Sequence, residues 1–269
     1  MPQLSSPGER HDRSAPPIEA IDLSASYDGR VALEGLNFCL ESGSRVAVVG
    51  PNGAGKTTLF KVLAGILPPT AGRVHVHGHD PGGHICVAYV PQRNEVDWAF
   101  PVSVADVVMM GRIREIGLFR WPRSADWSIV EKSLSSVGLE GVAKRQIGEL
   151  SGGQQQRVFI AQAVAQHAQI VLLDEPLSGL DVPSQQAILD ILDDLQTQGI
   201  TILVATHDLN LAAEHFDRVM LLNRRLIAFG EAEEILTKQI LLEAYGASVH
   251  MIEEPGVSAL TDTHHEGRE

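Results

Sequence analysis

The sequence has few cysteines and contains no long hydrophobic run. Its only cysteines, Cys39 and Cys86, lie far apart in apolar contexts and do not have the spacing of metal ligands. We therefore predict two buried, reduced thiols and a cytosolic setting, rather than a disulfide framework. The most apolar segments, residues 170–173 and 200–205, have the length of strands, so we do not expect the chain to span a bilayer.

Basic residues are also scarce, because 21 Lys and Arg stand against 34 Asp and Glu and give a formal net charge of -13. Binding to nucleic acid requires clustered cations that neutralise phosphates, so we expect no nucleic-acid partner. The same net charge disfavours direct binding to anionic lipid.

The two ends of the chain differ in composition from the middle. Residues 1–17 mix charges, serines and prolines without an apolar central run, so we predict a disordered tail that is neither a signal nor an anchor. Residues 247–269 are predicted to form an acidic C-terminal tail that carries part of the negative charge. Residues 18–246 are long enough for one large domain with a subdomain.

Segments with strand periodicity and segments with helix periodicity alternate along the middle region. Helical spacing between about residues 101 and 150 indicates a helical insertion. The alternation elsewhere predicts an α/β fold with a mostly parallel sheet and helices on its faces. The predicted strands are 18–27, 36–40, 45–49, 73–77, 85–90, 170–174 and 200–205, and the predicted helices are 56–66, 104–110, 128–137, 154–166 and 184–196.

One glycine-rich segment fits the pattern G-x-x-x-x-G-K-[ST] between a predicted strand and a predicted helix. Glycines let the backbone wrap closely around phosphate, and the N–H groups at the helix start supply positive potential. Lys56 is expected to reach the β- and γ-phosphates of a nucleotide, and the Thr57 hydroxyl can bind Mg²⁺. The predicted nucleotide-binding residues of this phosphate loop are Gly50, Pro51, Asn52, Gly53, Ala54, Gly55, Lys56, Thr57 and Thr58.

A second motif is the apolar strand at residues 170–174, which ends in two successive carboxylates. Its carboxyl end is expected beside the phosphate loop. Asp174 is then a predicted Mg²⁺ ligand, directly or through water. Glu175 is predicted to polarise an attacking water as a general base. Taken alone, the pair also fits an ordinary strand end with solvated acids.

Residues 150–154, LSGGQ, distinguish between families of nucleotide hydrolases. A serine and two glycines at a helix start expose N–H groups suited to phosphate, although they also fit a serine-capped helix. LSGGQ shortly before the strand that ends in Asp174 and Glu175 is the signature arrangement of ATP-binding cassette (ABC) ATPases. The chain resembles this family over roughly residues 18–246.

The resemblance implies a P-loop NTPase fold: an ABC cassette with a mostly parallel core sheet, an N-terminal antiparallel β subdomain and an inserted α-helical subdomain. It also implies ATP hydrolysis with Mg²⁺ by a homodimer of cassettes. In such a dimer the signature of one subunit completes the nucleotide site of the other. The signature residues implied to bind nucleotide are Ser151, Gly152, Gly153 and Gln154.

Four further positions match the family pattern. Tyr27 matches the aromatic residue that stacks on adenine, and Gln92 matches the glutamine that links Mg²⁺ to the helical insertion. Asp181 lies in the matching dimer-contact loop, and His207 matches the histidine that faces the γ-phosphate. Tyr27 also fits an ordinary strand aromatic, and His207 also fits a polar residue at a helix start.

Residues 89–112, which begin YVPQRNEVDWAFPVSV, closely resemble the ATP-binding subunits of manganese, zinc and iron importers. The resemblance implies that integral membrane permease subunits dock near residues 92–101. Trp98 and Phe100 would suit such a docking surface if they are exposed. The alternative is that both rings pack the two subdomains together.

A metal-ion importer would hold this chain at the cytoplasmic face of the inner membrane, peripherally through the permease subunits. An extracytoplasmic solute-binding protein would be an indirect partner. The fold alone does not prove transport, because ABC cassettes serve other processes. A soluble ABC ATPase of a cytosolic assembly machine, such as iron-sulfur cluster biogenesis, remains the alternative.

Several histidines cluster in the sequence, and a regulatory metal site is one hypothesis for them. Alternate positions on a predicted strand would place three of them on one face. Without a supporting cysteine or carboxylate cluster, ordinary surface histidines are the preferred interpretation. The group comprises His75, His77, His79 and His84, and the C-terminal tail adds His264 and His265.

Overall fold

The computed structural model describes residues 15–27, 29–81, 86–117, 119–246, 249–254 and 257–262, the last two by their backbone alone. Most of the predicted N-terminal tail, residues 1–14, therefore lies outside the described residues. The strands are β1 (Ile18–Tyr27), β2 (Arg30–Leu40), β3 (Arg45–Val49), β4 (Ala71–Val76), β5 (Val87–Val90), β6 (Ile170–Asp174), β7 (Thr201–Thr206), β8 (Arg218–Asn223), β9 (Arg225–Gly230), β10 (Val249–Glu254) and β11 (Val257–Asp262). The α-helices are α1 (Lys56–Leu63), α2 (Val104–Met110), α3 (Ile113–Ile116), α4 (Ser124–Ser135), α5 (Gly152–Ala165), α6 (Val182–Thr197), α7 (Leu209–His215), α8 (Ala232–Ile235) and α9 (Lys238–Tyr245).

The largest sheet has six strands in the order β5-β6-β7-β3-β8-β9. Its first five strands are parallel, and β9 pairs antiparallel with β8. Every residue of β3, β6 and β7 is buried. This explains their continuous apolar sequences, since a parallel strand is covered on both faces. The predicted mostly parallel core sheet is confirmed.

Successive residues of β3 contribute to different cores. Val46 and Val48 pack in a cluster that includes Phe60 of α1 and buried residues of the N-terminal strands. Ala47 and Val49 pack in a second cluster that includes residues of α5 and α6. This alternation follows from the strand period of two residues. The sheet therefore separates two hydrophobic layers.

The N-terminal strands form a separate antiparallel sheet in the order β2-β1-β4. Alternate residues of β1, such as Ile18 and Ala20, are buried, whereas their neighbours are partly exposed. The buried face packs towards α1 and the six-stranded sheet. The predicted N-terminal antiparallel β subdomain is confirmed.

The helical insertion packs its helices against one another, with α2, α4 and α5 in mutual contact. Helix α2 has the predicted bounds and begins with a capping box, in which the Ser103 side chain accepts from Asp106 N–H at 3.2 Å. Helix α4 lies somewhat earlier in the chain than predicted, and α5 begins two residues before its predicted start, at Gly152. The predicted α-helical subdomain is confirmed.

The C-terminal third of the chain contains more regular structure than the sequence patterns predicted. Elements α7 to α9 and strands β8 and β9 follow the last predicted strand. The antiparallel pair β10 and β11 lies in the segment predicted to be an acidic tail. These elements are short, and short apolar runs do not distinguish strand from helix by periodicity alone. Among the helices that the structure describes, none is long and apolar enough to cross a membrane.

The prediction of two buried thiols is confirmed for Cys86 and wrong for Cys39. Cys86 is buried, but Cys39 is exposed. Cys39 lies on β2, the edge strand of the antiparallel sheet, where its neighbours Phe38 and Leu40 occupy the buried positions. Side chains alternate across a strand, so Cys39 points away from the core.

The histidines do not share one strand face, which corrects that expectation. β4 ends at Val76, and His77 adopts a positive φ of 48° in a turn where it is buried. His79 follows in the same turn and accepts from Val76 N–H through its carbonyl at 2.7 Å. Within the described residues, no group of three or more His, Cys, Asp or Glu could hold a metal ion. The remaining histidines of the hypothesis, His84, His264 and His265, lie outside the described residues.

Candidate functional site

The predicted site residues follow the carboxyl ends of four neighbouring parallel strands, β5, β6, β7 and β3. Gln92 follows β5, Asp174 ends β6 and Glu175 follows it, His207 follows β7, and the phosphate loop follows β3. Open α/β sheets bind ligands outside the carboxyl ends of their strands. The sheet order therefore brings together motifs that are far apart in the sequence.

Two glycines of the phosphate loop are required by close packing. A Cβ atom at Gly50 would lie 2.0 Å from the Leu222 carbonyl oxygen, and one at Gly55 would lie 2.6 Å from the Ala32 carbonyl oxygen. Gly53 has a positive φ of 77°, and no described atom lies within 4 Å of its Cβ position. The loop is thus anchored at both ends, while its middle is open to a ligand.

Lys56 is the first residue of α1 and is buried. Its Nζ donates to the Gly50 carbonyl at 2.6 Å and to the Pro51 carbonyl at 3.3 Å. The ammonium group is therefore held at the loop, where a nucleotide phosphate can exchange for these carbonyls. Thr58 is buried as well.

Asp174 is 2% exposed at the end of β6. Burial raises the pKa of its carboxyl group, and a hydrogen bond with Thr57 opposes that rise. The Tyr89 hydroxyl donates to Asp174 Oδ2 at 3.4 Å. The Asp174 carboxylate and the Thr57 hydroxyl are hard oxygen donors, the kind that Mg²⁺ prefers.

The Glu175 carboxylate is held through one of its two oxygens. Gln92 Nε2 and Ser178 Oγ each donate to Glu175 Oε2 at 3.1 Å, and His207 Nδ1 lies 3.8 Å from the same oxygen. The backbone of Glu175 has a φ of 49°, which a non-glycine residue seldom adopts. Such strain concentrates at functional sites, where the surrounding structure fixes it.

Glu175 and His207 shift each other's pKa values in opposite directions. The His207 ring, 3.8 Å away, lowers the pKa of Glu175 below its ordinary value, against the opposing effect of burial. The Glu175 carboxylate in turn raises the pKa of His207. Glu175 is therefore ionised at neutral pH, as a general base must be.

The signature residues cap the start of α5. The Ser151 hydroxyl accepts from Gln154 N–H at 3.3 Å, and Ser151 N–H donates to the Gln154 side-chain oxygen at 3.1 Å. This reciprocal pair is a capping box. It fixes the helix start whose positive end suits an anion. The serine-capped helix and the phosphate-binding element are therefore compatible descriptions of one structure.

The two signature glycines lie against other parts of the chain. A Cβ atom at Gly153 would lie 2.6 Å from Ser184 Oγ, and one at Gly152 would lie 3.0 Å from an Arg93 guanidinium nitrogen. The signature thus contacts the start of α6 and the segment that follows β5. A side chain at Gly153 would collide with Ser184.

Asp181 and Tyr27 occupy more ordinary positions. Asp181 precedes α6, where its carboxylate accepts from Ser184 N–H at 3.1 Å, and the Ser184 side chain together with this backbone N–H lowers the pKa of Asp181. Tyr27 ends β1 and is 41% exposed. That exposure leaves its ring available to a ligand, but it also fits a strand aromatic.

The two aromatic residues of the predicted docking segment behave differently. Trp98 packs edge-on against Phe159 of α5, with ring centroids 5.7 Å apart, and its indole N–H donates to the Arg93 carbonyl at 2.9 Å. Phe100 is 58% exposed. Trp98 therefore follows the packing alternative, and Phe100 alone keeps the exposure of a docking residue.

Sequence reasoning missed three side chains of this region: Tyr89, Arg93 and Ser178. Arg93 Nε donates to the Gln155 side-chain oxygen at 3.2 Å, and its guanidinium lies over the Trp98 ring. Ser178 lies in the loop matched to the dimer contact, where only Asp181 was assigned a role. A signal existed for Tyr89, because it precedes the end of a strand that neighbours β6, but the strand order was unknown from the sequence.

The similarity of the chain to known proteins extends over most of its length. A family model described as ABC transporter matches residues 33–178. The manganese transport system ATP-binding protein of Bacillus subtilis is 41% identical over 88% of this chain and 96% of the relative. The zinc transport system ATP-binding protein of Treponema pallidum is 42% identical over 86% of this chain and 88% of the relative.

A solved structure supports the same relationship in three dimensions. It is described as an inward-facing conformation of a metal-chelate type ABC transporter, and it superposes with a TM-score of 0.78 at 32% identity. The match covers 91% of this chain and 97% of the other.

Proposed function

We propose that this chain, which belongs to the ABC transporter family, powers the import of a divalent transition-metal ion such as manganese, zinc or iron. As an ABC-type transport ATPase, the chain binds and hydrolyses ATP. The observation that carries the metal-ion proposal is the near full-length similarity to manganese and zinc transport ATP-binding proteins. The resemblance of residues 89–112 to metal importers supports it.

For nucleotide binding, we assign Lys56 and the N–H groups of the phosphate loop to the β- and γ-phosphates. Tyr27 is the proposed adenine-stacking residue. Thr57, Asp174 and Gln92 are the proposed Mg²⁺ ligands, directly or through water. When bound, Mg²⁺ neutralises charge on the transferred phosphoryl group.

For hydrolysis, we assign Glu175 as the general base. Its Oε2 atom is occupied by Gln92, Ser178 and His207, so we assign Oε1 to the attacking water. The water oxygen forms a bond to the γ-phosphorus, Glu175 takes its proton, and ADP leaves with the electrons of the broken P–O bond. His207 is assigned to the γ-phosphate, and Gln92 positions the base.

We further propose that two copies of the chain form a homodimer around two ATP molecules. Ser151, Gly152, Gly153 and Gln154 of one copy would complete the site of the other, with Asp181 near the contact. The start of α5, where Ser151 is exposed and Gly152 is partly exposed, supports this, because the N–H groups and the positive end of a helix are suited to phosphate.

The proposed membrane partners are permease subunits that dock near residues 92–101. Phe100 is the exposed aromatic residue of this segment. Docking there would hold residues 18–246, the proposed ATP-binding domain, at the cytoplasmic face of the inner membrane. A solute-binding protein outside the cytoplasm would deliver the ion. Both relatives named above belong to transport systems, which favours transport over the soluble assembly ATPase.

The test is purification of the tagged full-length chain from gently solubilised membranes, followed by reconstitution of what co-purifies. We expect a multi-span membrane protein and ATP-dependent uptake of a manganese, zinc or iron isotope. Glu175→Gln is the matched control and should keep the complex but not the uptake. Recovery of only soluble assembly proteins would contradict the transport proposal.

A further inference from the structure

The connection between α3 and α4 exposes two large aromatic side chains. Phe119 is 98% exposed and Trp121 is 90% exposed. We call residues 119–123 the aromatic tip. Its first residues belong to a turn in which Arg120 N–H donates to the Gly117 carbonyl at 3.2 Å. Neighbouring large aromatic side chains that are almost fully exposed to solvent indicate an interaction surface.

The charge around the aromatic tip is opposite to that of the whole chain. Residues 112–126 contain four arginines and two acidic residues. Both acids, Glu115 and Asp126, form ion pairs with the buried Arg112, the second at 3.7 Å. Arg112 offsets one of these two negative charges, so four arginines and two acids leave the stretch with a net charge of +2. The cations exposed on this stretch are Arg114, Arg120 and Arg123.

We propose that the aromatic tip binds directly to an anionic phospholipid surface. Phe119 and Trp121 would lie at the level of the headgroups, because aromatic rings with this exposure favour the interface between water and lipid. Arg120 and Arg123 would contact lipid phosphates. Through this contact the chain would bind the membrane without the permease.

Charge complementarity selects lipid over the permease as the occupant. Cytoplasmic loops of membrane proteins carry an excess of Lys and Arg, which would repel a cationic tip. The cytoplasmic leaflet is negative and attracts it. The net charge of -13 still disfavours adsorption through the rest of the surface, so the chain would approach the membrane with the tip first.

The experiment measures flotation of the full-length chain with vesicles of phosphatidylcholine, with and without phosphatidylglycerol, at low ionic strength. We expect binding only to the anionic vesicles, and weaker binding as salt is added. Arg120→Glu, and Phe119→Ser combined with Trp121→Ser, should each weaken binding roughly tenfold. Lys144→Glu and Ile66→Ser make matched changes at exposed sites elsewhere and should bind like the unmodified chain.

A second readout locates the contact. Brominated phosphatidylglycerol should quench tryptophan fluorescence of the unmodified chain, and Trp121→Phe should remove most of that quenching while flotation persists. The proposal is overturned if the chain does not float with anionic vesicles, or if the tip and control variants bind these vesicles equally. ATPase activity, measured on the same samples, tests the proposed function separately and should be unchanged by the tip variants.

Discussion

Glu175 combines a strained backbone with a side chain that three neighbours hold on one oxygen. This arrangement fits a base that must be aligned before water arrives. Replacing Glu175 with Gln keeps the size and shape of the side chain but removes the carboxylate that would accept the proton of the attacking water. We expect ATP turnover to fall by at least about a hundredfold, while ATP binding is retained.

Steady-state phosphate release and equilibrium binding of a fluorescent ATP analogue would measure the two effects. Glu131→Gln, the same change at an exposed position of α4, is the matched control and should leave both unchanged. Undiminished turnover in the Glu175→Gln variant would remove Glu175 from its assigned role.

The pair of Glu175 and His207 predicts a pH dependence with a definite sign. Because His207 lowers the pKa of Glu175, the base stays ionised further into the acid range than an ordinary glutamate. The pair's stabilising effect is lost as pH falls through the lowered pKa of Glu175. It is also lost as pH rises through the raised pKa of His207.

His207→Ala should therefore move the acidic limb of the kcat/KM profile to higher pH, in addition to lowering its height. Ser178→Ala should move the limb in the same direction by less, because the neutral Ser178 hydroxyl stabilises the carboxylate less than the positive charge of protonated His207 does. The measurement is the residual ATPase rate across the acid range. An acidic limb that stays in place without His207 contradicts this coupling.

The site residues predicted from sequence were those with a motif around them. Glycines, Lys56 and the paired carboxylates have fixed local spacing, so their chemistry could be interpreted without the fold. Tyr89 and Arg93 carry no such pattern, since their contacts with Asp174 and Gln155 depend on strand order and helix packing. The prediction that Cys39 is buried was wrong for a related reason, since a single residue does not reveal which face of a strand is buried.

At the scale of elements, α5 and α6 meet where Gly153 lies against Ser184. Gly153→Ala would place a Cβ atom 2.6 Å from Ser184 Oγ and 2.7 Å from Ser184 Cβ. We expect a loss of about 1–3 kcal/mol in the free energy of unfolding, from overpacking at the helix contact. Thermal unfolding should fall by several degrees as a result.

Ser184→Gly tests whether this contact causes the destabilisation, because it removes Ser184 Oγ and Cβ, the two atoms that would be crowded. The double variant should be less destabilised than the sum of the two single variants. Gly141→Ala is the control, since no described atom lies within 4 Å of its Cβ position. Strict additivity of the two changes would show that the helices do not meet as described.

The elements predicted well from sequence are the buried strands and the capped helices. Strands β3 and β6 are fully buried and are apolar except for Arg45 and Asp174, and α2 begins with a serine cap and an acidic partner. Strands β8 and β9 escaped prediction because their pairing is with each other and with β3. Their neighbours in space, rather than their own residues, decide that they are strands.

At the scale of the whole molecule, the phosphate loop and the signature belong to different layers. The loop lies between β3 and α1, and the signature begins α5, the helix that packs with α2 and α4. The described contacts of the signature glycines are with Arg93, Leu180 and Ser184. This separation leaves room for the proposed arrangement in which each signature serves the partner's nucleotide.

That arrangement predicts complementation between two inactive chains. Lys56→Ala disables the phosphate loop, and Ser151→Arg disables the signature. If each site combines elements from two copies, a mixed dimer has one site with both defects and one site with none. An equal mixture should then recover about a quarter of normal ATPase activity, since half of the dimers are mixed and each has one intact site of two.

The assay is ATP turnover after the two purified variants are mixed and allowed to exchange subunits, with differently tagged copies to count mixed dimers. Each variant alone, at the same total concentration, provides the inactive baseline. If each site were instead built within one chain, every site in the mixture would carry a defect. Mixed dimers without recovered turnover would therefore contradict a nucleotide site shared between two copies.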